Sequence, residues 1–334
     1  MLPVKNPFGR FVIYLTLTIY VSITSLPFLW TVLQSLKNLR QANARPPLFI
    51  FKPTFESYTS LWFRTVPKDL PWLMLGFVVV NLAIIVSARA MARRDASRLA
   101  IVMLVLVSYY LLFWAIPQIV KTADFYDFFV NTVIVTVGTV IIAVSVSSLG
   151  GYALARYGGI SGAMILIVAL AFQSLPVMAF ALPYFQLATV TGLQDSYVLL
   201  IMVLVGLHQP FALWMLRSFF MDIPQEIEEA AMVDGASRLT AFVRILIPIM
   251  WPGIVSTGLL VALGAYHEFL LVRVLTQLRW TLPVAITKYI GTVYSSINTV
   301  PYAAAVCVTV PLLILVLFFQ EQLVKGLSSG AVKG

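Results

Sequence analysis

The chain is short of charge, of cysteine and of histidine. Only 10% of its 334 residues are Asp, Glu, Lys or Arg, where a soluble domain carries about 25%. The apolar share is 60%, against a usual range of about 45–50%. A chain so poor in charge cannot clothe itself for water, so lipid must serve as much of its solvent. A single cysteine, Cys307, excludes an intrachain disulfide. With only two histidines, it leaves no Cys/His cluster of the zinc kind. The glycine-rich phosphate cradle that ends in Gly-Lys-Ser/Thr is missing, so the chain should not hold ATP itself. No Ser/His/Asp set can be assembled, because both histidines fall within apolar runs. The net charge of +9 does not mark a nucleic-acid binder, since the basic residues sit in short loops between those runs.

What the chain does have is long apolar segments. A spanning helix needs about 20 mainly apolar residues. Eight segments qualify: 11–33, 71–87, 99–120, 129–155, 162–182, 197–220, 252–275 and 300–324. They are continuously apolar instead of alternating, which selects helices over a barrel. The first follows a basic start (Lys5, Arg10), as in a signal peptide. It is longer than a signal core and lacks a small-x-small site, so it reads as a retained span. An even number of spans puts both termini on one side. With that side cytoplasmic, twelve of the 22 basic residues lie inside. The short loop bearing Arg89, Arg93, Arg94 and Arg98 is the clearest part of that bias.

Two extramembrane stretches stand out, 38–70 and 221–250. In the second, Asp222 can cap a short helix whose first turn suits Pro224. Glu226, Glu228 and Glu229 favour the positive end of its dipole, and Gly235 is a natural left-handed stop. Ile227, Ala230, Ala231 and Asp234 fall on one face at i, i+3, i+4 and i+7. From this pattern alone the stretch is either an ordinary amphipathic loop or a helix built for a partner. A second helical stretch, 237–247, ends before Pro248.

The order Glu229-Ala230-Ala231, three residues, Gly235, nine residues, Ile245, one residue, Ile247-Pro248 resembles the EAA loop of ABC importer permeases. The family has Leu-Pro at the end, and Ile247 keeps an aliphatic side chain there. Asn131-Thr-Val, Gly151-Tyr-Ala-Leu-Ala-Arg156, Ala212-Leu-Trp and the ending 326–334 look like the maltose-type, carbohydrate-importing branch. The resemblance implies that Glu228, Glu229, Ala230, Ala231, Asp234, Gly235, Ile245 and Pro248 form a coupling loop that docks on an ATP-binding subunit. It also implies a second, different permease subunit, two ATP-binding subunits holding ATP and Mg, and a periplasmic or lipid-anchored solute-binding protein. The solute would be a sugar, oligosaccharide, polyol or glycerol-phosphate diester. On this reading the chain is a transport subunit and no enzyme, with no cofactor of its own.

The expected fold is all-α and integral to the bacterial inner membrane, with both termini cytoplasmic. Family members usually have six spans, so 64–126 reads as an inserted two-helix hairpin. It would lie between an N-terminal span with external loop (1–63) and a core permease domain (127–334). The hairpin reads either as a scaffold against lipid or as a docking site for another membrane protein. Ionisable and amide groups at membrane depth are candidates for a solute path: His208 and Gln209 before Pro210, and Tyr266, His267 and Glu268 in the seventh span. Each also has a structural reading, as a partner for a broken helix or a neighbouring span. Trp280, Tyr289 and Tyr294 suit either a binding-protein contact or an interfacial belt. A rival function is an ion-coupled secondary transporter using Glu268 and His267.

Overall fold

A computed structural model describes residues 7–94, 97–290 and 299–331. In chain order the helices are α1 (Pro7–Ser35), α2 (Leu39–Ala42), α3 (Glu56–Trp62), α4 (Leu70–Arg93), α5 (Arg98–Ile119), α6 (Asp124–Tyr157), α7 (Gly159–Gln173) and α8 (Met178–Thr191). They continue as α9 (Tyr197–Met221), α10 (Glu226–Val233), α11 (Arg238–Ala241), a π-turn (Phe242–Leu246), α12 (Ile247–Ile249), α13 (Trp251–His267), α14 (Leu270–Leu275), α15 (Leu282–Ile290) and α16 (Val300–Ala331). Among the described residues six helices are long and apolar enough to cross a membrane singly. Up to eight spans result if two bent pairs, Gly159–Gln173 with Met178–Thr191 (94°) and Arg238–Ile249 with Trp251–His267 (74°), each count as one. Large apolar side chains such as Leu75, Val79 and Leu82 lie open along these helices, as lipid-facing helices require.

The chain divides into two compact units, 1–127 with 288–307, and 128–287 with 308–334. In the first, α4 and α5 pack on each other, and the Tyr109 hydroxyl donates to Asn81 at 3.0 Å. Lys37 is almost wholly covered, with its ammonium 5.2 Å from the Trp30 ring and 5.1 Å from that of Phe51. Asn38 and Gln41 form a reciprocal capping box at the start of α2. A short antiparallel bridge pairs Phe63 with Thr122. Arg64 then reaches Asp124 at 2.8 Å, and Lys288 pairs with the same carboxylate. Tyr289 lies against Phe125, with ring centres 6.0 Å apart.

In the second unit α9 is the axis, with α7 and α13 packed against it and α14 packed on α8. Leu199, Leu200, Val203 and Leu204 of α9 share a core with Leu271, Val272 and Leu275 of α14. Two segments that read as straight spans are broken. The expected span 162–182 bends by 94° between α7 and α8, where Pro176 supplies no N–H to carry the helix on. The expected span 252–275 ends at His267, and the chain turns extended at Glu268 (φ −66°, ψ 114°) before α14 begins. Hydropathy is blind to such breaks, because the residues on both sides stay apolar.

Candidate functional site

The stretch 221–250 folds as a short helix held against the ends of two spans. α10 starts at Glu226, and Asp222 closes α9 instead of capping α10. Its C-terminus has the left-handed glycine expected, with Gly235 at φ +87°. There the Ala236 N–H reaches the Ala231 carbonyl and the Gly235 N–H that of Met232, both at 3.0 Å. This pair of hydrogen bonds is the Schellman closure, which satisfies carbonyls that a helix end otherwise leaves without partners.

The buried side of α10 is Glu228 and Ala231, one residue away from the stripe that the spacing suggests. Ile227, Ala230 and Asp234 are exposed, as are Glu226, Glu229 and Val233. Val233 is 87% exposed and Leu239, in α11, 68%. Ile245 is half-buried in the π-turn and Pro248 is exposed in α12.

Glu228 faces the spans. Its Oε1 accepts from the Tyr152 hydroxyl, and its Oε2 takes the Arg156 Nε at 3.1 Å. Side-chain exposure is 6% for Arg156 and 7% for Glu228. The guanidinium also donates to the carbonyls of Phe220 at 3.3 Å and Ile223 at 3.2 Å. A buried ion pair holds only when its remaining hydrogen-bonding groups are satisfied, and removing one partner then costs about 3–5 kcal/mol. Tyr152 continues into a ring cluster, 5.0 Å from Phe242 and 5.8 Å from Phe220. Phe242 opens the π-turn, a helix defect frequent at functional sites. Nearby, Gly151 lets α6 approach the α9 backbone at Leu216 and Arg217. Sequence reasoning picked out Tyr152 and Arg156 only within a family-like stretch. No local pattern pairs an arginine with an acid 72 residues away.

The five membrane-depth candidates fall in two places. On α9, the Gln209 amide donates to Ser147 at 2.7 Å while its carbonyl oxygen is buried without a partner. The His208 ring fills the space beside Gly264, where a Cβ would come within 2.5 Å of Cε1; its Nε2 is buried without a partner. At the end of α13, the buried Tyr266 donates to the Val308 carbonyl at 2.6 Å. His267 is exposed, with Nδ1 2.8 Å from the Leu263 carbonyl. Glu268 accepts the Leu271 N–H at 3.0 Å and so caps α14.

A third constellation escaped the sequence reading altogether. Asp195, in the left-handed region at φ 54°, accepts from the Thr276 hydroxyl and the Gln277 N–H at 2.6 Å, and from the Leu278 N–H at 2.9 Å. The Arg279 guanidinium donates to the Asp195 carbonyl at 2.5 Å and lies 4.1 Å from the Tyr197 ring centre. Burial would raise the Asp195 pKa, but the two N–H groups, the hydroxyl and Arg279 together hold it below its ordinary 3.8. Trp280 is held alongside, stacked on Phe128 at 6.2 Å, with Asn131 donating to its carbonyl at 3.0 Å. Tyr294 lies outside the described residues.

Among the described residues, six long apolar helices and two bent pairs define a multi-pass membrane protein. Residues 147–329, more than half of the chain, match the family described as "Binding-protein-dependent transport system inner membrane component", and the chain belongs to that family. It is 34% identical over 215 residues to the trehalose transport system permease protein SugB of Mycobacterium tuberculosis, covering 62% of this chain and 78% of that one. It is also 34% identical to the trehalose/maltose transport system permease protein MalG of Thermococcus litoralis, covering 64% and 77%. The maltodextrin permease MdxG of Bacillus subtilis is 27% identical, covering 66% and 81%. In fold the chain is similar to one from a bacterial ABC transporter involved in the import of the acidic polysaccharide alginate. The TM-score is 0.64 at 18% identity, over 96% of this chain and 99% of that one. The family resemblance thus holds, and this chain is an inner-membrane permease component of the binding-protein-dependent, ABC type.

Proposed function

We propose that the chain is one permease of an ATP-driven, binding-protein-dependent importer for a sugar or sugar-like solute. The observation that carries this reading is α10: fixed to the spans on one side, and on the other presenting Ile227, Ala230 and Val233 among Glu226, Glu229 and Asp234. That surface, on the cytoplasmic side with both termini, docks on an ATP-binding subunit. Two such subunits bind ATP and Mg and drive alternating access. A different permease completes the path, and a binding protein delivers the solute. The trehalose, maltose and maltodextrin systems of the relatives support the solute class.

On this chain the α13–α14 break is the position we assign to solute. Broken helices at membrane depth expose backbone and polar ends where a transported molecule can use them. His267 and Glu268 serve there, while Tyr266 and Gln209 hold helices together and His208 packs on Gly264. We read α4 and α5 as a hairpin added to a six-helix permease core. The rival, an ion-coupled carrier, needs a proton relay between Glu268 and His267. These residues bond instead to Leu271 and Leu263, and a carrier has no use for the open face of α10.

The test is co-purification with the ATP-binding subunits and sugar-stimulated ATP hydrolysis, comparing Glu229→Ala with the unaltered complex. Loss of capture or of stimulation by the variant is expected. Failure of any ATP-binding subunit to co-purify, with Glu229→Ala silent, refutes the reading.

A further inference from the structure

We propose that Glu228, with Arg156 and Tyr152, is the link through which the loop 221–250 moves α6, and is not a contact for the ATP-binding subunit. This rests on the permease reading above. A carboxylate that faces the spans, 7% exposed, cannot also reach a partner docked on the open face of α10. Glu229, its neighbour, points outward. The two adjacent acids of the loop therefore divide the work, Glu229 toward the partner and Glu228 toward the membrane.

The connectivity shows why a link is needed. Displacing α10 pulls α9 directly through residues 222–225, and pulls α13 through α11, the π-turn and α12. The chain connection from α10 to α6 is remote, because α6 ends 68 residues before α10 begins, so side chains must carry the pull. Among the described residues, the side-chain hydrogen bonds from α6 to α10 itself are the two on Glu228, and Arg238 of α11 adds one to Tyr157 at the end of α6. Arg156 extends the tie, because its remaining donors hold Phe220 in the last turn of α9 and Ile223 just beyond. One guanidinium thus gathers the ends of α6, α9 and α10. Apolar surfaces resist compression but slide under shear, whereas directional, charge-assisted bonds hold against pull and push alike. A latch of this kind can drive α6 in both halves of a transport cycle.

The experiment uses the complete complex in lipid vesicles, with trehalose and maltose as probe solutes. It measures solute transported per ATP hydrolysed for the unaltered chain, Glu228→Gln, Tyr152→Phe and Glu229→Gln. Glu228→Gln is expected to assemble and to hydrolyse ATP, with transport per ATP down about tenfold, the weight of one charge-assisted hydrogen bond. Tyr152→Phe should fall in the same direction by less. Glu229→Gln should instead weaken capture of the ATP-binding subunit and leave the ratio unchanged in complexes that form. A merely structural role for Glu228 would lower the yield of complex without altering that ratio. An unaltered ratio in Glu228→Gln overturns the latch; if that variant does not assemble, an unaltered ratio in Tyr152→Phe overturns it. If the unaltered complex shows no solute-stimulated hydrolysis, the importer reading falls and the latch with it.

Discussion

Replacing Gly151 by alanine should loosen the packing of α6 on α9, while the same change one residue earlier should not. A Cβ at position 151 would lie 2.9 Å from the Arg217 backbone nitrogen and 3.2 Å from the Leu216 carbonyl carbon. The first contact is about 0.5 Å inside the 3.4 Å at which ordinary contact begins. Both atoms belong to the α9 backbone and cannot swing aside. At position 150 the atom met is Leu213 Cδ1, at 2.8 Å, the tip of a flexible side chain. Overpacking costs about 1–3 kcal/mol, and against backbone that cannot yield the upper part of that range applies, about 2–3 kcal/mol; exchanging glycine for alanine inside a helix returns about 1 kcal/mol. Gly151→Ala should therefore lose about 1–2 kcal/mol net, and Gly150→Ala should be neutral or slightly stabilised. In heat-unfolding of the full-length chain in detergent, at one fixed scan rate, that is a midpoint lowered by about 2–6 °C for Gly151→Ala alone. Equal shifts in the two variants, or a Gly151→Ala protein as stable as the parent, would refute the close-approach argument.

Two further outcomes follow from sites away from the latch. Because the Asp195 pKa lies below its ordinary 3.8, the clamp should contribute fully above that pH and fade only as pH falls through the lowered value. Asp195→Ala should cost about 1–2 kcal/mol after allowance for partial exposure, and amide exchange at Gln277 and Leu278 should accelerate at pH 6–7, with the difference from the parent shrinking as pH falls below 3.8. Glu268→Gln keeps an oxygen that can accept the Leu271 N–H, whereas Glu268→Ala does not. The glutamine variant should keep the parent's unfolding midpoint and the alanine variant lose about 1 kcal/mol, while a change in sugar-stimulated hydrolysis common to both would mark the carboxylate as a solute contact.

The spans and the helical class were legible because long apolar runs have few other uses. The short helix α10 and its glycine stop were legible too, since Glu229, Ala230, Ala231 and Gly235 form a spaced pattern in a polar interval. Orientation of α10 was not. The spacing of 227, 230, 231 and 234 picks out one face without saying which side turns inward; the side that does is set by Glu228, because Arg156 and Tyr152 wait for it on another helix. The breaks at 174–177 and 268–269 were hidden for a different reason: apolar residues flank both, and only the backbone geometry separates half-helices from whole ones. Glu268 illustrates the effect. In a continuous span it would be an expensive charge, but at a break it caps the next helix. The Asp195 clamp joins residues more than eighty positions apart, and a lone loop aspartate advertises nothing of the kind.

The eight residues of α10 would be marginal as a helix in water by themselves. In this chain the Schellman closure at Gly235 and the inward bonds of Glu228 fix them within the subunit. Ordering eight backbones costs about 8–16 kcal/mol, a cost that folding meets before any partner arrives. A partner of the kind proposed above would then meet a preorganised element, and its binding free energy need not be diverted into forming the helix.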